Sequence, residues 1–320
     1  MAVYTEVSEQ ELEAFVAEYD IGAVQTFKGI AEGVENSNYL LGTDRGNYFL
    51  TLYERRVAPE DLPFFLGLME HLAARGIPCP TPIYARDKKA LRSLASRPAA
   101  IVTFLRGIAH KRLSPADCAE LGNALAELHR AGADFAMRRP NALAVSGWRK
   151  LLNAAAPRAD EVTAGLAAEL EGEFAHLAKS WPKDLPQGVI HADLFPDNVL
   201  FLNGKISGLI DFYFACNDFL AYDIAICLNA WCFESDRSFN VTKARALLSA
   251  YRRARPLSQA EIDALPILAQ GSALRFLLTR LYDWLNTPAG ALVKPKDPLE
   301  YLHKIRFHRK IADARAYGLE

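Results

Sequence analysis

The chain carries almost no net charge: 37 Lys and Arg against 38 Asp and Glu leave −1 at pH 7 over 320 residues. So weak a field does not draw a polyanion to the surface, and nucleic acid is not an expected partner. Cysteine is scarce and unpatterned. Cys79, Cys118, Cys216, Cys227 and Cys232 are odd in number and contain no C-x-x-C pair. That excludes a disulfide frame or a zinc knuckle and reads as buried thiols in a reducing compartment. Long apolar runs are missing as well. The run over 98–105 is too short to span a bilayer, and a later one is broken by Asp223 and Asn229, so no membrane partner is expected. The opening MAVYTEVSEQELEAF is acidic and mixed, unlike a signal peptide, which makes the cytoplasm the expected location. There are no internal repeats and no low-complexity tracts. What is present is ordinary for a globular protein, 51% hydrophobic and 23% charged, with length enough for two domains or one two-lobed domain.

The most informative stretch is VIHADLFPDNVLFLNGKISGLIDFYF, over 189–214. Two apolar runs there are joined by Asn203-Gly204, and Asn-Gly between short apolar runs is a strong local signal for a tight hairpin, because both turn residues tolerate positive φ. Asn198 then opens one strand and Asp211 closes its partner, so a hairpin brings them to the same end, with Asp193 in the loop just before. Converging oxygen-bearing side chains suit Mg²⁺, a hard cation that keeps waters and substrate phosphates among its ligands. An Asp facing an acceptor hydroxyl, an Asn five residues on and a second Asp on the next strand is the order of the kinase catalytic and metal loops.

Local signals place the remaining elements. Ser8-x-x-Glu11 is a capping box opening a helix through Tyr19. Strands are predicted over 23–29, 37–43 and 47–53, the last two joined by Asp44-Arg45-Gly46. Ala58-Pro59 begins a helix that runs to Arg75 and stops at Gly76, and a strand follows over 99–105. Ser114-Pro115 caps a helix with Cys118, Leu121, Leu125 and Leu128 along one stripe, which His129 ends. Further helices are predicted over 160–180, 222–231, 241–253, 258–269, 272–285 and 298–316. The expected fold class is therefore α+β: a small antiparallel-sheet lobe over 1–106, and a larger, mostly helical lobe over 107–320 that contains the 189–214 hairpin and a substrate pocket.

His-Ala-Asp-Leu-Phe-Pro-Asp-Asn followed by Ile-Asp-Phe resembles the aminoglycoside phosphotransferase-like branch of the protein-kinase fold. GIAEGVENSNYLL, YFLTLYE, GLIDFYFACN and YDIAICLNAWC extend the resemblance, most closely to the bacterial homoserine kinases, from residue 29 to residue 232. The resemblance implies ATP and Mg²⁺ as cofactors, Asp193 as the catalytic residue, and Asn198 and Asp211 as metal ligands. It also implies nucleotide contacts at Gly29, Gly33, Asn36 and Ser37 in the first hairpin loop, and at Thr103 and Leu105 where the lobes join. His191 is expected to orient the loop, and Asp223 to act as a cap or loop anchor. One position departs from the wider fold. Thr51 stands where the third strand usually carries a Lys for the α/β-phosphates, which leaves Lys28, Arg55 and Arg56 as candidate cations and Glu70 as an unassigned helix partner.

The resemblance makes L-homoserine the expected acceptor, handled by a monomer or homodimer. A carboxylate suits an Arg fork, and Arg275, Arg280 and Asp283 share a predicted helix, Arg275 and Asp283 on roughly one face. With Asn229, Trp231 and Glu234 they are the candidate substrate residues. Aminoglycosides would need an acidic lobe that 292–309, rich in Lys and Arg, does not provide. Choline would need an aromatic cage, for which Tyr213, Tyr222, Trp231, Tyr282 and Trp284 are available. Kinases of other small alcohols, including hydroxylated amino acids, and a non-catalytic nucleotide-binding protein are the alternatives.

Overall fold

The computed structural model describes residues 5–30, 36–54, 57–288 and 295–319. They form two compact units. One comprises 1–107 together with the returning segment 207–213, and the other comprises 108–206 and 214–320.

The first unit is built on a five-stranded antiparallel sheet. In chain order its elements are α1 (Glu9–Val16), β1 (Val24–Gly29), β2 (Ser37–Thr43), β3 (Gly46–Leu52), α2 (Leu62–Ala73), β4 (Leu91–Leu94) and β5 (Arg97–Thr103), with strand order β1-β2-β3-β5-β4. Ser8 caps α1 through a reciprocal capping box with Glu11. Burial alternates along β2, which sends Tyr39 and Leu41 into a core shared with Leu50, Ile101 and the Leu12, Phe15 and Val16 face of α1. β4 has no counterpart in the local reading. Its turn to β5 is Ala95-Ser96, both at positive φ, where neither residue type announces a hairpin. The returning segment docks through the Leu209 N–H on the Pro78 carbonyl, the Ser207 hydroxyl on the Arg106 carbonyl, and the Tyr213 ring edge-on to Phe65 of α2.

The second unit contains β6 (Ile108–Ala109), α3 (Pro115–Ala131), α4 (Val145–Ala159), α5 (Leu166–Ser180), β7 (Gln187–Ile190) and β8 (Val199–Leu202). β9 (Lys205–Leu209) leads into the returning segment, and β10 (Cys216–Phe219), α6 (Leu220–Trp231), α7 (Val241–Ala254), α8 (Gln259–Asn286) and α9 (Leu299–His308) complete the chain. The expected hairpin is present: Asn203 and Gly204 sit at φ 53° and 75° between β8 and β9. Three helical expectations change. The helix expected over 160–180 begins at Leu166, after Gly165 at φ +80°, and is preceded by α4, whose N-cap Ala144 offers no side-chain signal. The two helices expected over 258–285 are one, because burial along 264–278 holds Pro266 and Gly271 inside it. The last helix ends at His308, with a separate 3-10 turn at Ala314–Tyr317. Among the described residues no helix is long and apolar enough to cross a membrane. All five cysteines are free and buried, and burial pushes the Cys79 thiol up to about 12.

Helix packing is close enough in two places to admit only glycine. A Cβ on Gly122 of α3 would lie 2.2 Å from the Leu247 carbonyl oxygen of α7, and one on Gly271 would lie 2.2 Å from the Trp181 ring. In an open helix Gly→Ala gains about 1 kcal/mol. At Gly122 the backbone neighbour cannot move aside, so Gly122→Ala should instead destabilise the protein by about 1–3 kcal/mol in urea denaturation.

Candidate active site

β7 delivers the chain to the loop His191–Phe195, and a 3-10 turn at Pro196–Asn198 feeds β8. The loop is held from below by one carboxylate. Asp223, in the first turn of α6 and fully buried, accepts the His191 N–H at 2.7 Å on Oδ2 and the Ala192 N–H at 2.9 Å on Oδ1. Burial alone would raise its pKa. Hydrogen bonding and charge from His129, His191 and the loop amides overcome this and leave it below the ordinary carboxylate value. His129 Nε2 lies 3.2 Å from the same Oδ2, and its Nδ1 lies 2.7 Å from the Tyr251 hydroxyl. Ala192 is thereby kept at φ 62°, a left-handed conformation that alanine rarely adopts. Its carbonyl accepts from the buried guanidinium of Arg275. His191 Nδ1 accepts the Asp193 N–H at 3.3 Å.

Asp193 follows this clamped pair and is partly buried. Burial drives its pKa up to about 6, and the Asp197 charge adds to the rise; Arg275, Lys296 and a hydrogen bond from Asn198 act in the other direction. Asn198 donates from Nδ2 to the Asp193 carbonyl at 2.8 Å and more weakly to its carboxylate at 3.4 Å. Its side-chain oxygen makes no hydrogen bond among the described residues, and an uncommitted amide oxygen beside a carboxylate is a donor set that suits a hard cation. Sequence reasoning did not find Lys296, whose ammonium lies 3.8 Å from Asp197. A contact between residues so far apart in the chain leaves no local pattern.

In the sheet unit, Asp211 is exposed at φ 65°, two residues past the end of β9. Tyr213, two residues on, is 3.2 Å hydroxyl to hydroxyl from Tyr53, and Thr51 also reaches it. Burial raises both tyrosine pKa values, and the Asp211 charge raises them further. Thr51, where the resemblance implied a Lys, is buried in β3 and donates to Asn38 Oδ1 at 2.8 Å. Gly29 ends β1 opposite Tyr39. Asn36 and Ser37 turn inward: Ser37 donates to Glu54 at 2.7 Å, and Asn36 accepts the Glu54 N–H at 3.2 Å. Thr103 closes β5 and accepts the Thr81 N–H, and Leu105 follows, partly buried. Glu70 takes the Tyr84 hydroxyl at 2.7 Å. Gly33, Arg55 and Arg56 lie outside the described residues.

The candidate substrate residues on α6 and α8 do not line one surface. Trp231 is buried and donates its indole N–H to the Leu194 carbonyl at 2.8 Å, so it supports the loop from behind. Arg275 is buried against the Phe276 and Phe214 rings, with its Nε unpartnered. Asp283 is partly exposed on α8 and Arg280 pairs with Glu300. Asn229 is wholly internal. Its Nδ2 donates to the Ala225 and Ala269 carbonyls, and its Oδ1 lies 3.0 Å from His308 Nε2. His308 Nδ1 is 2.6 Å from the Tyr317 hydroxyl. A neutral ring with its proton on Nε2 satisfies both contacts.

Comparison with known proteins adds four likenesses. Residues 26–257 match the model of the phosphotransferase enzyme family. The chain is 64% identical to the homoserine kinase of Rhodospirillum rubrum, covering 100% of this chain and 99% of that one. It is 65% identical to the homoserine kinase of Parvibaculum lavamentivorans over the full length of both. Among solved structures, the amicoumacin kinase in complex with AMP-PNP, Ca²⁺ and Ami is similar with a TM-score of 0.73 at 15% identity, covering 95% of this chain and 92% of that one. That last likeness bears on the fold, and agrees with an antiparallel sheet unit and a helical unit.

His308 generates a pH signature. Burial first, and the Lys304 charge second, push its pKa down to about 3. Between about pH 6.5 and 3 the unfolded chain takes up a proton that the folded chain refuses, so stability rises with pH across this window and is lost on acidification. His308→Gln should flatten that slope by up to about 1.4 kcal/mol per pH unit in denaturant titrations at pH 4–6, and the two proteins' slopes should converge above pH 7.

Proposed function

This chain belongs to the phosphotransferase enzyme family and, within it, to the homoserine kinases, and from that premise we infer that it transfers the γ-phosphoryl group of ATP to the side-chain hydroxyl of L-homoserine, forming O-phospho-L-homoserine for threonine biosynthesis. The observation that carries the substrate is identity of 64–65% along the whole chain. The clamped loop supports the chemistry. Phosphoryl transfer leaves a protein mainly to position groups and offset charge. Asp193, presented by a backbone that Asp223 and Arg275 fix on either side of Ala192, aligns the acceptor hydroxyl and accepts its proton late. Its raised pKa reduces the cost of holding that proton.

Asn198 and Asp211 would hold Mg²⁺ through their side-chain oxygens, and the cation would supply neutralising charge for the ATP phosphates. The loop around Gly29, Gly33, Asn36 and Ser37 serves the phosphates through its backbone, since the Asn36 and Ser37 side chains are engaged with Glu54. The backbone at Thr103–Leu105 serves the adenine edge. In this reading the sheet unit takes the nucleotide and the helical unit the acceptor. The enzyme works as a monomer or homodimer in the cytoplasm, where reducing conditions keep its buried thiols free.

A coupled ADP-release assay with Mg-ATP tests the reading, using L-homoserine, choline, hydroxylysine and kanamycin as acceptors. Turnover should be confined to L-homoserine. Asp193→Asn should lower kcat by about 10²–10⁴-fold with ATP binding retained. Asp211→Asn should weaken the dependence of rate on Mg²⁺ concentration. Turnover with another acceptor alone would keep the catalytic assignments and remove the substrate.

A further inference from the structure

The helical unit contains a semi-enclosed cavity of about 440 Å³ where the end of α6 and the loop after it meet α9. That lies within the range of about 300–1,000 Å³ typical of small-molecule sites. Its walls carry both signs of charge. Glu234, Asp297 and Glu300 contribute carboxylates, and Arg237 and Lys304 contribute cations.

The anionic side is built to stay ionised. Glu234 Oε1 accepts from Lys243 Nζ at 2.6 Å and from Asn240 at 2.7 Å, and both hydrogen bonds lower its pKa. Glu300 takes Lys304 on one oxygen at 2.6 Å and Arg280 on the other at 2.7 Å. Burial opposes its ionisation, but these two cations hold its carboxyl down to about 2. Lys304 is itself 5% exposed and spends a second N–H on the Asn229 carbonyl at 2.9 Å. Arg237 differs from all of these. Its side chain is exposed and has no ion pair or hydrogen bond among the described residues. Its backbone nevertheless sits at φ 69° in a loop closed by the Phe233–Phe239 bridge, with its N–H on the Glu234 carbonyl at 2.9 Å. The left-handed backbone is the one that the third residue of such a hairpin loop adopts, and it leaves the unpaired guanidinium of Arg237 on the cavity wall.

Two of the lining residues are chain neighbours of residues that contact the 191–198 loop. Ala230 precedes Trp231, whose indole holds the Leu194 carbonyl. Asp297 follows Lys296, which lies over the Phe195 ring and 3.8 Å from Asp197.

We propose that this cavity is the amino-acid subsite of the acceptor, with Glu234 and Glu300 taking the α-ammonium and Arg237 the α-carboxylate. The proposal rests on the homoserine kinase reading and gives it a basis for selectivity. An amino alcohol without a carboxylate would satisfy one wall and leave Arg237 unpaired. A hydroxy acid without an ammonium would forgo the contacts with Glu234 and Glu300.

The test compares the wild type with Arg237→Ala, Arg237→Lys and Glu234→Gln on three alcohols: L-homoserine, 3-aminopropan-1-ol and 4-hydroxybutyrate. Arg237→Ala should raise KM for L-homoserine about tenfold or more with kcat and the KM for ATP little changed, and Arg237→Lys should recover part of the loss. The same Arg237→Ala change should leave kcat/KM for 3-aminopropan-1-ol within about threefold, whereas Glu234→Gln should weaken L-homoserine and 3-aminopropan-1-ol alike. An L-homoserine KM that neither Arg237→Ala nor Glu234→Gln moves would overturn the subsite while leaving the enzyme's activity standing. If the wild type does not phosphorylate L-homoserine, the activity reading fails, and calorimetric titration of L-homoserine into wild type and Arg237→Ala still decides the cavity. Weaker binding by the variant supports the subsite, and equal binding or none in either protein overturns it.

Discussion

Everything at the catalytic loop depends on one buried carboxylate meeting two backbone N–H groups. Asp223 has no solvent to stabilise its charge, so the loop amides and His129 must do so, and in return the carboxylate fixes the peptides of His191 and Ala192. Charge-assisted hydrogen bonds of this kind are about twice as strong as neutral ones. Loss of either side leaves a buried group unsatisfied, which makes the arrangement all-or-none. Arg275 completes it from the opposite side by capturing the Ala192 carbonyl. Asp193 is therefore presented by a backbone whose conformation is imposed and not chosen, the condition under which positioning contributes most to a reaction with little covalent chemistry for the protein to perform.

The same economy is visible where the sheet lacks its usual Lys. Thr51 is satisfied by Asn38, and Tyr53 and Tyr213 face one another near Asp211. Neutral hydroxyls stand where the resemblance implied a cation. Their pKa values are driven up by burial and by the Asp211 charge, so they remain protonated donors at any pH the enzyme meets.

How much of this the sequence disclosed follows the range of the interactions. The capping box at Ser8, the Ser114-Pro115 cap and the Asn203-Gly204 turn are signals within four residues, and all three form as read. The α+β class and the His191–Asp211 motif were legible for the same reason. α4 was not, because Ala144 gives its start no polar cap, and α8 was divided at a glycine that burial against Trp181 overrides. The candidate substrate residues show the limit most clearly. Asn229, Trp231 and Arg275 have the right chemistry for a zwitterion, but each is committed to a partner 37 to 83 residues away along the chain: Trp231 to Leu194, Asn229 to Ala269 and Arg275 to Ala192. No spacing rule reports such distances.

The first unit is not a continuous piece of chain. The strand end and turn that carry Asp211 return to it as 207–213, after the polypeptide has already entered the second unit. During synthesis the sheet can therefore form early from 1–107, but the ring of Tyr213 against Phe65 and the Leu209 bond to Pro78 must wait until the ribosome has released about a hundred further residues. The nascent sheet unit spends that interval without its last segment. Asp211 joins the sheet unit only after 108–206 have been translated, so a chain truncated at Gly107 cannot complete this unit.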